Sequence, residues 1–84
     1  MNEKGYHGLK AYQEGHKLVK EVYIITEKFP RAEIFGLVSQ MRRSAVSVVA
    51  NLIEGHARGS QKEFRRFLFI ANGSLVETEY YLRL

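Results

Sequence analysis

The stretch from Ser39 to Gly55, SQMRRSAVSVVANLIEG, limits most strongly what this chain can fold into. It holds no proline, and its glycine is terminal. On a helix advancing about 100° per residue, Leu37, Val38, Met41, Ala45, Val48, Val49, Leu52 and Ile53 sweep roughly half the circumference. Gln40, Ser44, Ser47, Asn51 and Glu54 follow at steps of four, three, four and three, and form a polar stripe on the opposite side. A helix lying on a surface cannot hide so wide an apolar arc, so this one must be covered on more than one side. Short hydroxyls and a single amide on the remaining stripe suit close packing against yet another helix. The stretch dictates architecture and assigns no chemistry.

The flanking sequence supplies the covering helices. From Leu9 onward, Leu9, Tyr12, His16, Val19, Tyr23 and Thr26 make one seam, and Ala11, Gly15, Leu18, Val22, Ile25 and Phe29 a neighbouring one. Lys10, Glu14, Lys17 and Glu21 alternate in sign on the outer face. Pro30 forces the preceding residue out of the α region and ends this helix. Gly55 and Gly59 bracket the end of the central helix, the usual place for a left-handed cap. Ser60-Gln61-Lys62-Glu63 then has the spacing of a capping box, which starts a third helix. Its expected core face is Phe64, Phe67, Leu68, Ala71, Leu75, Thr78 and Leu82, with a small-residue patch at Ala71, Gly73 and Ser74. The spacing therefore predicts helices over 9–28, 34–57 and 60–83, with residues 1–8 a frayed leader and no strand or repeat. The third pattern is still periodic at Leu84, with no stop signal. Three wide apolar arcs leave one groove open. The expected fold is all-α: an antiparallel up-and-down bundle holding three helices of a four-helix pattern, its missing cover supplied by copies of itself.

At 84 residues and 45% hydrophobic content, the chain is expected to form one domain rather than a disordered tail. It has no cysteine, which excludes disulfides and thiolate metal sites and points to the cytoplasm. No stretch has the character of a signal peptide or a membrane span. Charge is uneven. Residues 31–66 carry seven lysines and arginines against three glutamates, whereas residues 67–84 carry one arginine against two. A basic middle suits a polyanionic partner.

Nothing converges as an active site would. His7, His16 and His56 are too widely spaced for a local metal pair, aspartate is absent, and the glycines match no phosphate-binding loop. No catalytic residue, metal, cofactor or small-molecule substrate is expected. Arg58, Lys62, Arg65 and Arg66 share one side of the third helix's first turns. Basic residues at that end oppose the helix dipole, so their clustering hints at an anion such as phosphate, against the plainer reading of a solvated basic face. Arg43 extends this candidate nucleic-acid-binding set. Arg42, at the edge of the apolar arc, reads either as part of the patch or as a residue snorkelling at a subunit contact. Asn51 and Glu54 read either as partner contacts or as interhelix hydrogen-bonding groups, and the latter is favoured because buried polar groups need partners. Tyr80 and Tyr81 could stack on bases, but near a helix end they fit a core or interface better.

Several separated motifs, in order, resemble the bacterial proteins encoded in 23S rRNA intervening sequences. They are Phe29-Pro30, Gly36-Leu37, the whole of residues 39–55, the Arg58, Ser60 and Glu63 pattern, and FLFIANGSLVETE from Phe67 to Glu79. The chain departs from the pattern at Val49, where the family typically has proline. The resemblance implies a four-helix bundle with a basic surface that assembles as a ring, often a pentamer. It also implies likeness to the accessory protein of diversity-generating retroelements, which partners a reverse transcriptase. No reaction is implied. The sequence thus predicts a non-enzymatic, oligomeric adaptor for structured RNA or a ribonucleoprotein. The alternative is a protein-interaction module serving an acidic or reverse-transcriptase-type partner.

Overall fold

Pro30 and Gly59 divide the chain into three helices, as the spacing predicts. The computed structural model describes residues 5–84. Helix α1 spans Lys10–Thr26, α2 Ser39–Ala57 and α3 Gln61–Arg83, and no strand occurs among the described residues. The fold is all-α. The leader expected over residues 1–8 falls partly outside the described residues, but Gly5–Gly8 is a single 3-10 turn rather than frayed chain. Tyr6 stacks on His7, with ring centroids 4.2 Å apart, and meets Tyr12 edge-on, which pins this turn to the start of α1.

The central helix departs from expectation at its start. Arg31–Glu33 is a 3-10 turn, and Ile34–Val38 is a π-helical turn leading into α2. The wider turn slips the register of whatever precedes it. Ile34, which an uninterrupted helix would align with Val38 and Met41, is left 43% exposed, and Phe35 stands 95% exposed.

Helices α1 and α3 each pack on α2 and barely touch one another. The wide apolar arc of α2 thus serves both neighbours. Toward α1 and the Pro30 turn, Val22, Met41 and Ala45 form one buried cluster, with Leu18, Val19, Phe29, Leu37 and Tyr81 around it. Val48, Leu52 and Ala71 form a second, flanked by Leu18 and Leu75. Two glycines set the helix separations. A Cβ on Gly15 would come within 3.1 Å of Val49, and one on Gly55 within 2.7 Å of the Phe67 Cβ. Val49 therefore faces α1, while Val46 on the same helix is turned outward.

Some expected core positions are not core. The face of α3 laid on α2 is Phe67, Ala71, Ser74 and Thr78, whereas Leu68 and Leu82 are exposed. On α1, Gly15, Val22 and Thr26 are buried, so the working seam runs between the two predicted ones, with Tyr23, Ile25 and His16 outside it. Small and hydroxyl residues let α2 and α3 approach closely, and larger apolar residues are displaced to the flanks. Between α1 and α3 lies an apolar groove of about 360 Å³, floored by Val48 and Leu52 and walled by Gly15, Leu18, Leu68 and Leu75. No helix of the described residues is long and apolar enough to cross a membrane.

Candidate nucleic-acid interface

The basic residues at 58–66 are gathered by a tight reversal. Gly59 adopts φ +79°, a left-handed conformation that a side chain would strain. The Ser60 hydroxyl accepts from the Glu63 amide at 3.2 Å and caps α3. Glu63 turns its carboxylate to arginines: it accepts from Arg66 Nε at 3.2 Å and Nη2 at 3.3 Å, and lies 3.9 Å from Arg58 Nη1. Arg58 also donates from Nε to Glu54 at 3.0 Å. Both guanidinium groups stand over the buried Phe67 ring, Arg58 at 5.0 Å and Arg66 at 4.5 Å from its centroid. The hydrogen bond from Arg66, with the charges of Arg66 and Arg58, outweighs desolvation and holds the Glu63 carboxyl below the usual carboxylate range.

The four predicted cations are thus divided. Arg58 and Arg66 are held by Glu54 and Glu63 and lean on Phe67. Lys62 and Arg65 are exposed and have no carboxylate partner among the described residues. Arg43 is exposed at the other end of α2, about 22 Å from Arg58 at 1.5 Å rise per residue, so the structure does not bring it to this site. It lines a shallow polar recess with Gln40, Ser44, Ser47, Glu77 and Tyr81. Arg42 is committed elsewhere: its Nε donates to Thr26 Oγ1 at 2.9 Å, and its guanidinium covers the Tyr23 ring at 4.4 Å.

The polar stripe of α2 faces α3 at its centre. Ser44 and Thr78 are within 2.8 Å, and the Ser74 hydroxyl donates to Ser47 Oγ at 3.0 Å. Asn51 donates to the Ser47 carbonyl and hydroxyl oxygens on its own helix, so it reaches α3 only through Ser47. Gln40 and Glu54, at the two ends of the stripe, are exposed. Tyr81 packs against the core, whereas Tyr80 is 60% exposed. What sequence reasoning missed is the carboxylates. The Glu54–Arg58 and Glu63–Arg66 spacings of four and three were signals of ion pairing as plain as those noted on α1.

Among the described residues, no three histidine or glutamate side chains converge as metal ligands. Fold and site together define a small, basic, all-α helical-bundle protein with cations gathered at the turn of its second helical hairpin. Over residues 7–84 the chain matches the sequence model of the 23S rRNA-intervening sequence protein family, and it belongs to that family. No curated protein matches it.

Proposed function

We propose that this protein is a non-enzymatic cytoplasmic adaptor that binds structured RNA, alone or in a ribonucleoprotein, as a homo-oligomer. The observation that carries the reading is the exposed, unneutralised pair Lys62 and Arg65 on the first turns of α3, where the helix amides also favour an anion. Arg58 and Arg66 sit beside them, with Glu54 and Glu63 competing with phosphate for their guanidinium groups. Contacts of this kind hold a backbone and do not read bases, so the RNA is recognised by shape. Self-association, in a ring of the kind the family resemblance implies, is supported by the open groove between α1 and α3, where the apolar wall residue Leu68 is exposed.

The second reading is a protein-interaction module for an acidic or reverse-transcriptase-type partner. It is favoured by the exposed apolar side chains Phe35, Phe69 and Val76, which offer contact surface to a protein. Fluorescence anisotropy with duplex and hairpin RNA at physiological salt separates the two. The adaptor reading expects binding tighter than about 100 μM, within the ordinary non-specific range. Absence of binding there would leave the protein-interaction module in first place.

A further inference from the structure

Between α2 and α3, on the flank opposite the α1–α3 groove, lies a polar recess of about 270 Å³. It falls below the roughly 300–1,000 Å³ of sites that take drug-sized molecules, and suits a smaller ligand. Its two walls differ in character. The α2 wall supplies donors. Arg43 is exposed and has no carboxylate partner among the described residues. Ser47 Oγ accepts from Asn51 Nδ2 and from the Ser74 hydroxyl, both at 3.0 Å, and its own proton has no acceptor among the described residues. The Ser44 hydroxyl, by contrast, is taken up by Met41 and Thr78. The α3 wall supplies Glu77, which is exposed and has no cationic partner among the described residues. Arg43 and Glu77 thus border one small recess with opposite charges and do not close on each other.

We propose that this recess binds a free α-amino acid by its main-chain groups, the carboxylate on Arg43 and Ser47 and the ammonium on Glu77. A ligand of one charge is disfavoured by the opposite wall. An anion such as phosphate or acetate at Arg43 meets the Glu77 carboxylate, and a simple cation at Glu77 meets the Arg43 guanidinium. A molecule carrying ammonium and carboxylate on one carbon satisfies both walls at once, with a charge-assisted hydrogen bond at each end. The orientation follows from Ser47. With both lone pairs occupied by Asn51 and Ser74, its hydroxyl can only donate, which suits a carboxylate and not an ammonium. These contacts hold only the groups common to all α-amino acids, so the ligand's side chain is weakly discriminated. The site uses none of the cations at the turn between α2 and α3, and so goes beyond the RNA reading.

The test titrates the full chain, without RNA, with L-alanine at neutral pH and follows the backbone amides by heteronuclear NMR. Saturable shifts should gather around Arg43, Ser47 and Glu77, with a Kd on the order of 1 mM. Acetate and methylammonium, which carry one charge each, should bind at least about tenfold more weakly. Arg43→Gln should weaken L-alanine about tenfold and should weaken acetate as well. Glu77→Gln should weaken L-alanine about tenfold yet leave acetate bound as tightly as before or more tightly, because the repelling carboxylate is gone. A purely structural role for Glu77 would move both ligands in the same direction. Circular dichroism checks that each variant stays helical. Shifts in the parent that remain unsaturated at about 20 mM L-alanine, equal affinity for L-alanine and acetate, or a Glu77→Gln chain that binds L-alanine like the parent would overturn the proposal.

Discussion

Ser44 and Thr78 place their hydroxyl oxygens 2.8 Å apart inside the α2–α3 interface, and each also lies within donating distance of its own helix: Ser44 of the Met41 carbonyl at 3.0 Å, Thr78 of the Ser74 carbonyl at 2.9 Å. Two protons serve three contacts. One hydroxyl must donate across the interface and give up or share its carbonyl. The pair fixes the register of α2 against α3, while neither group depends wholly on the other.

The first prediction follows from that redundancy. Thr78→Val keeps the shape and leaves Ser44 bonded to Met41, so unfolding free energy should fall by only about 0.5–1.5 kcal/mol. The double variant Ser44→Ala/Thr78→Val should cost less than the sum of the singles, because no polar atom is left unpaired. Urea denaturation of the four proteins in the cycle measures the coupling. Strict additivity would show that the contact carries no interaction energy.

Two glycines in helices should respond to alanine with opposite signs. At Gly55 the new methyl meets the Phe67 Cβ at 2.7 Å, an atom fixed to backbone, so helices must separate. The cost should be about 1–3 kcal/mol from overpacking, which exceeds the gain in helix propensity of about 1 kcal/mol. At Gly73 the methyl meets open space, and stability at low protein concentration should rise by up to about 1 kcal/mol. Thermal melts of both variants decide it.

Much of this fold was legible, and the failures share a cause. Periodicity, Pro30, Gly59 and the Ser60 cap gave three helices close to their observed bounds because these are local effects within a turn or two. The choice of face on α3 was not local. Leu68 and Leu82 looked like core because they are large and apolar, yet Ser74 and Thr78 occupy the interface. Close approach at Gly55 and the hydroxyl pairs favoured small partners over large ones, and such a preference appears only when both helices are known. The site fared similarly. Helical spacing sets Lys62, Arg65 and Arg66 on the first turns of α3, but it could not show that Arg58, from the preceding helix, would share Glu63 with Arg66. Arg43 joined the candidate set by charge alone and lies at the far end of α2.

Acid should loosen the turn through Glu63. Its folded carboxyl titrates below the ordinary range, so the charged form is favoured by folding. The resulting stability is present above the unfolded value of about 4.3 and is lost as pH falls through the lower folded value. The melting temperature should therefore drop on acidification below that point, and Glu63→Gln should flatten the drop. In Arg66→Gln the Glu63 carboxyl carbon, followed by NMR, should titrate at higher pH than in the parent. An unchanged midpoint would mean that Arg66 does not hold the carboxylate in solution.

The division of the four cations sets the last prediction, on how RNA binding responds to charge. If Lys62 and Arg65 hold phosphates, replacing both with Gln should flatten the dependence of log affinity on log salt by roughly one to two units, through lost counterion release. All RNA sequences should weaken alike, because phosphate contacts carry no base readout. Glu54 offers the converse. It lies in the last turn of α2, where a carboxylate opposes the helix dipole, and its partner is Arg58 at 3.0 Å. Glu54→Gln removes a competing anion without removing a cap or a core contact, so the fold should persist. Arg58 is then left with only its longer carboxylate contact, to Glu63 at 3.9 Å, and is more available to phosphate, so the salt dependence should steepen by up to about one unit as affinity rises. An acidic protein partner would gain from the same change, so the titration is run with RNA alone. Should Glu54→Gln leave both affinity and salt slope unchanged while Lys62→Gln/Arg65→Gln lowers them, Arg58 is a structural residue and the phosphate site is confined to α3.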